Sequence, residues 1–171
     1  LGAQSSSPED DELEAPEVTK LTIRGVKAVD KAELEKSIST DESGCKGLIL
    51  TPFCWISKSP IFYERKYLDR EEFKRDVLRI RVFYWKRGWR HTTVDTVVSP
   101  HTTGVQVTFR VTEGDPTTVR KISVGPQSPV LSERDIQRSV SLRAGRPLNL
   151  LMLDSSVVSL RNKLWERGYA D

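Results

Sequence analysis

DREEFKRDVLRIRVFYWKRGW, from Asp69 to Trp89, and NLLMLDSSVVSLRNKLWERGY, from Asn149 to Tyr169, are one pattern written twice, each position of the second lying 80 residues after its counterpart. The capping residue, the apolar stripe, the tryptophan, the Arg-Gly pair and the following aromatic all coincide. Phe73, Val77, Ile80 and Tyr84 follow i, i+4, i+7, i+11, which is one face of an α-helix. Leu153, Val157, Leu160 and Leu164 repeat it. Asp69 is a good N-cap, and Glu72 three residues on completes a capping-box pattern. Gly88 ends the helix, because glycine tolerates the left-handed conformation that closes a last turn. An internal repeat settles architecture before any single motif is weighed.

Working outward, Trp89 to Val98 is rich in Thr and Val and reads as a strand. Pro100 to Gly104 reads as a turn. Val105, Val107, Phe109 and Val111 then alternate with polar residues, the signature of a strand with one buried face. Upstream, Thr19 to Arg24 is a strand ending at Gly25, and Asp30, Glu33, Leu34 and Ile38 outline a short helix. The second copy answers with a strand at Val119 to Val124, then Ser132, Asp135, Ile136 and Val140. Here the spacing between copies is 102 rather than 80, so the first copy holds 22 extra residues between its helices. They fall within 39–68 and include both cysteines.

The unit is therefore strand, helix, helix, strand, strand. It is an α+β domain in which two helices pack on a small mixed sheet of three strands. The expected domains are residues 18–113 and 114–171, after a leader at 1–17. The second copy stops at Asp171, where its own hairpin should begin, so the expectation is a piece of a longer chain.

Charge is uneven. Residues 1–17 hold six acids and no Lys or Arg, the composition of a disordered leader. Of the 24 acids in the chain 18 remain in the body, against 27 Lys and Arg, which gives the body a formal charge of +9. Leu1-Gly2-Ala3 resembles the end of a signal peptide. The other reading is an arbitrary boundary. No apolar run approaches the length of a membrane helix, about 20 residues.

Cys45 and Cys54 form no CxxC, and a zinc site would need further ligands at suitable spacing. A disulfide closing the inserted loop suits an oxidising compartment. The alternative is two buried thiols flanking the apolar run Leu48 to Phe53. There is no phosphate-binding glycine loop, no HExxH and no GxSxG. His91 and His101 offer no triad and no metal cluster, so neither enzymatic activity nor a cofactor is expected.

The first long helix mixes bases (Arg70, Lys74, Arg75, Arg79, Arg81, Lys86, Arg87, Arg90) with Phe83, Tyr84, Trp85 and Trp89. Such mixtures can bind nucleic acid through phosphates and stacking. The repeat argues against it: Leu164 stands where Tyr84 does, and a leucine marks packing. A basic face carried by Arg75, Arg79 and Arg87 suits anionic lipid head groups or an acidic partner surface better.

The tandem unit, the opening strand Lys20-Leu-Thr-Ile-Arg-Gly25, the helix start Asp30-Lys-Ala-Glu-Leu34 and the Arg-Gly-aromatic ends at Trp89 and Tyr169 together resemble the POTRA domain. So does the tight joint from Glu113-Gly-Asp-Pro116 into Val119-Arg-Lys-Ile122. The order is most similar to the periplasmic arms of outer-membrane assembly proteins of the BamA/TamA type. The cysteine-bearing insertion departs from that pattern. The resemblance implies a location on the periplasmic side of the outer membrane of a Gram-negative bacterium, and a C-terminal outer-membrane β-barrel elsewhere in the protein. It implies partners that are unfolded outer-membrane proteins or periplasmic scaffold proteins, with no nucleic acid.

In such domains the second strand is a sheet edge, which maps here to Arg90, Thr92, Val94, Thr96 and Val98. An edge offers unpaired N–H and C=O groups, so an extended client can add as a further strand. The other function class is a structural connector in a secretion or cell-division complex.

Overall fold

The alternation of Val107, Phe109 and Val111 becomes the central strand of a three-stranded sheet in the computed structural model, which describes residues 15–46, 59–124 and 130–169. In chain order the elements are β1 (Val18–Arg24), α1 (Lys31–Glu35), β2 (Gly44–Cys45), β3 (Tyr63–Glu64), α2 (Arg70–Lys86), β4 (Thr93–His101), β5 (Gly104–Thr112), α3 (Glu133–Ser139) and α4 (Leu150–Trp165). The chain divides into two units, one made of the described residues up to Arg81 with Thr93–Thr112, the other of Val82–Thr92 with the described part of Glu113–Asp171.

In the first unit the order is β1-β5-β4, with β5 parallel to β1 and antiparallel to β4. This is the mixed sheet with helices on it that the sequence implies. Val107 and Phe109 are fully buried, together with Leu34 of α1 and Ile80 of α2. The rings of Phe73 and Phe109 have centroids 5.3 Å apart, which seats the α2 stripe on the sheet. Each such side chain contributes about 1.5–3 kcal/mol by leaving water.

A carboxylate shares this interior. Asp76, fully buried, accepts the N–H of Ser39 at 2.9 Å and of Thr40 at 2.7 Å, and Arg79 donates to it at 2.6 Å. It fastens the chain after α1 to the middle of α2. In the second unit Ser156, 80 positions later, accepts the N–H of Ser141 at 2.9 Å, and Ser141 stands 102 after Ser39. The two copies thus share a clasp and differ in the acceptor that makes it.

Other bonds recur between the copies, with the partners 101 residues apart on the strand side and 80 on the helix side. Val18 N–H donates to Lys66 O at 2.8 Å, and Val119 N–H to Arg146 O at 2.9 Å. Glu17 bridges Tyr67 as Thr118 bridges Pro147. After each long helix the aromatic N–H closes the turn, Trp89 on Tyr84 O and Tyr169 on Leu164 O, both at 3.0 Å. Trp85 and Trp165 occupy equivalent places near the ends of α2 and α4, each with an arginine 5.1 Å above its ring. The second unit's core is Val119, Val140 and Leu142, with Ile136, Leu148 and Leu160 against it.

Four local expectations change. Glu72 does not complete a capping box: Asp69 caps Glu71 and Glu72 N–H groups, but the Glu72 carboxylate is taken by Arg75 and Arg79. The strand expected from Trp89 begins at Thr93, because Trp89 to Thr92 form the turn out of α2. Pro100 does not end that strand, which runs to His101 and turns through Thr102 and Thr103. Val119–Val124 forms no strand: β1 is a strand because it pairs with β5, and β5 has no counterpart among the described residues of the second copy.

Gly88 and Gly168 both lie in the left-handed region, at φ 99° and 84°. A Cβ at Gly88 would sit 2.8 Å from the Leu148 nitrogen, whereas one at Gly168 meets nothing within 4 Å. Alanine at Gly168 should therefore cost only the backbone term, about 1 kcal/mol. At Gly88 the clash adds to it, for a total of about 2–3 kcal/mol. Urea unfolding of the two variants measures the gap, and equal losses would show that the contact gives way without cost.

Candidate peptide-binding edge

β4 owes its strand character to Val94, Thr96, Val97 and Val98, and its place at the edge to the hairpin with β5. Its register is unbroken: Val94 faces Val111, Thr96 faces Phe109, Val98 faces Val107 and Pro100 faces Val105. One hydrogen bond decides which amides point outward. Val105 N–H donates to Glu17 O at 2.8 Å, on the β1 side of β5. Val105 therefore does not exchange bonds with Pro100, and that pair is a non-hydrogen-bonded one. Pairs alternate along an antiparallel ladder. Val94, Thr96 and Val98 then have their N–H and C=O groups on the open side, while Thr93, Asp95, Val97 and Ser99 bond to β5. The same parity explains Pro100: its missing N–H faces outward on an edge strand, where proline is tolerated.

Side chains directly opposite share a face. Val94, Thr96 and Val98 therefore lie on the face that carries buried Val107, Phe109 and Val111. Val98 is still 43% exposed, so apolar surface continues to the open rim. Among the described residues no backbone group bonds to the outer side of β4. The opposite edge is partly occupied. Ser43 N–H donates to Val18 O at 2.8 Å, Val18 N–H to Lys66 O at 2.8 Å, and Leu21 N–H to the Glu42 carboxylate at 2.8 Å. The ends of the insertion, which carries the β2–β3 pair, are what cover β1.

Of the five expected edge residues, Val94, Thr96 and Val98 are in β4 and Arg90 and Thr92 are not. Thr92 is buried, its hydroxyl 3.0 Å from the carbonyls of Trp89 and Glu113, and it locks the turn before the strand. Arg90 lies over the Trp85 ring. Tyr84, fully buried, donates to Glu113 at 2.9 Å; burial and then that carboxylate push its phenol well above the usual tyrosine range.

The expected basic face is not assembled either. Arg75 is paired with Glu72, and Arg79 with Glu72 and Asp76. Hydrogen bonds from Arg79 and then Arg75 hold the Glu72 carboxyl below the usual range. Arg87 lies 3.4 Å over the Phe83 ring and donates to Phe83 O. The face expected for anionic head groups or an acidic partner is thus met first by acids of the same helix, three and seven residues from Arg75 and Arg79. Cys45 lies on β2 opposite Tyr63, and no free thiol is found among the described residues; Cys54 lies outside them. No group of three or more His, Cys, Asp or Glu able to hold a metal occurs among the described residues, and none of their helices is long and apolar enough to cross a membrane.

No curated protein matches the chain. Among solved structures it is similar to the N-terminal domain of Omp85 from the thermophilic cyanobacterium Thermosynechococcus elongatus, at 18% identity over 89% of this chain and 52% of that one, with a TM-score of 0.45. It thus spans about half the length of that relative. It is also similar to POTRA1-2 of the periplasmic domain of Omp85 from Anabaena, at 18% identity, 91% and 83% coverage and a TM-score of 0.41. POTRA3-5 of BamA from Haemophilus influenzae matches at 12% identity, 90% and 86% coverage and a TM-score of 0.31. The family model described as "POTRA: Surface antigen variable number repeat" matches residues 16–114, more than half of the sequence, and the chain belongs to the POTRA family.

Proposed function

We propose that this chain is a periplasmic protein-binding arm of an outer-membrane protein assembly or translocation machine, and that it receives β-rich clients or docks partner subunits by strand addition to β4. One observation carries the proposal: among the described residues the outward backbone groups of Val94, Thr96 and Val98 have no partner, beside an exposed Val98, while the opposite edge is partly covered. Main-chain bonding suits clients that share backbone and extended shape rather than sequence. In this reading residues 18–113 and 114–171 are successive POTRA domains, and a C-terminal barrel anchors them in the outer membrane.

Hydrogen exchange tests the edge directly. On adding an unfolded barrel-strand peptide, the amides of Val94, Thr96 and Val98 should gain protection together. Protection elsewhere, with these three unchanged, would leave the connector role as the better account.

Cys45 and Cys54 are proposed to form a disulfide, as an oxidising compartment allows. Its closure of a short loop would contribute about 2–3 kcal/mol on the loop-entropy view. Alkylation without reduction, read by mass spectrometry, should modify neither cysteine; modification of both would remove the bond from this picture.

A further inference from the structure

We infer that the exposed basic row of α2 is a docking surface for the chain's own acidic segment, Glu9 to Glu14. Arg70, Lys74, Leu78 and Arg81 stand at i, i+4, i+8 and i+11, on one face of the helix and wholly in the first unit. Leu78 is 59% exposed in the middle of this row. Arg70 and Arg81 are exposed and make no ion pair among the described residues, and Lys74 pairs with Glu71 alone, both largely in solvent. The row thus presents an uncovered leucine among cations.

The segment Glu9-Asp10-Asp11-Glu12-Leu13-Glu14 is its complement, five acids and one leucine. Its tether is short. Pro16 O accepts the N–H of Leu68 at 3.0 Å, so the chain enters the fold beside the residue that precedes the α2 cap. Leu78 lies about 15 Å along the helix from there. The stretch from Glu9 to Pro16 can extend to roughly 23 Å, so the acids can reach the row. Exposed ion pairs are individually weak and screened by salt. A tethered partner nonetheless acts at an effective concentration near the millimolar range, where weak pairing suffices. Docked, the segment would compete with any external anion for this helix face.

The test compares backbone amide spectra of the full 171-residue chain with those of two variants, E9Q/D10N/D11N/E12Q/E14Q and R70Q/R81Q. Neutralising the segment should shift the amides of Arg70, Lys74, Leu78 and Arg81 more than those of β4 and β5. About 0.5 M salt should produce the same shifts in the unaltered chain, since the screening length is then only a few ångströms. R70Q/R81Q should in turn move the amides of Glu9 to Glu14. Changes confined to residues 9–17, or centred on β4, would overturn the inference. So would shifts that grow with protein concentration, which would make the occupant another copy's segment. Equal binding of phosphatidylglycerol vesicles by the unaltered and neutralised chains would overturn it too, because a docked segment must compete.

Discussion

Thr96→Pro should leave the domain folded and weaken capture of an extended client by at least about tenfold, a loss of about 1.4 kcal/mol. Thr96 stands at an outward position of the edge, so proline there removes no ladder bond to β5, as Pro100 already shows in the same strand. It does remove a donor that an added strand would use, and it places a ring where that strand must lie. Asp95→Pro is the contrast. Asp95 pairs with Arg110 at a hydrogen-bonded position, so the substitution orphans a partner inside the sheet and should cost about 1–3 kcal/mol of stability. Thr93 has the same parity and would behave in the same way. Titration of an unfolded barrel-strand peptide, with circular dichroism to confirm folding, separates the cases. A folded Thr96→Pro variant that binds as tightly as the unaltered protein would exclude strand addition at this edge.

Asp76→Ala should be the most damaging single change in the first unit, at about 3 kcal/mol or more. It takes the buried acceptor away from the N–H groups of Ser39 and Thr40, whose bonds to it are part-buried, each costing about 1–3 kcal/mol. The loss of Arg79 adds less, because that side chain is 34% exposed and keeps water. Ser156→Ala removes one such acceptor and should cost about 1 kcal/mol. Asp76→Ser, which imports the second copy's residue into the first, should fall between them. Urea melts of the three variants give the ranking. Loss of less than about 1 kcal/mol for Asp76→Ala would mean that water replaces the carboxylate and that the clasp is not structural.

Both predictions rest on features that differ in how far they could be read in advance. The helix stripe from Phe73 to Tyr84, the caps at Asp30, Asp69, Ser132 and Asn149, the closing glycines and the 22-residue insertion were legible. So was the order β1, α1, α2, β4, β5 in the first copy, helped by the period-two alternation of β5, whereas the short β2–β3 pair inside the insertion was not. Asp76 was not singled out, although its alignment with Ser156 was available. An acid between Arg75 and Val77 looks like any solvated residue until the chain after α1 is known to end against it.

What the sequence by itself determined was whatever depends on neighbours within a turn or two: helix faces, caps, breaks and the repeat built from them. What only the tertiary structure decided was parity and partnership. Thr93 and Asp95 are strand residues by composition, but whether their amides face β5 or solvent depends on how β5 is seated against the chain entering β1. That choice is visible in the bond from Val105 N–H to Glu17 O, between residues 88 apart in sequence. Pro100 constrains that parity only once the strand is known to run through it rather than to end there, so only the assembled sheet shows which residues from Thr93 to His101 remain open to a partner.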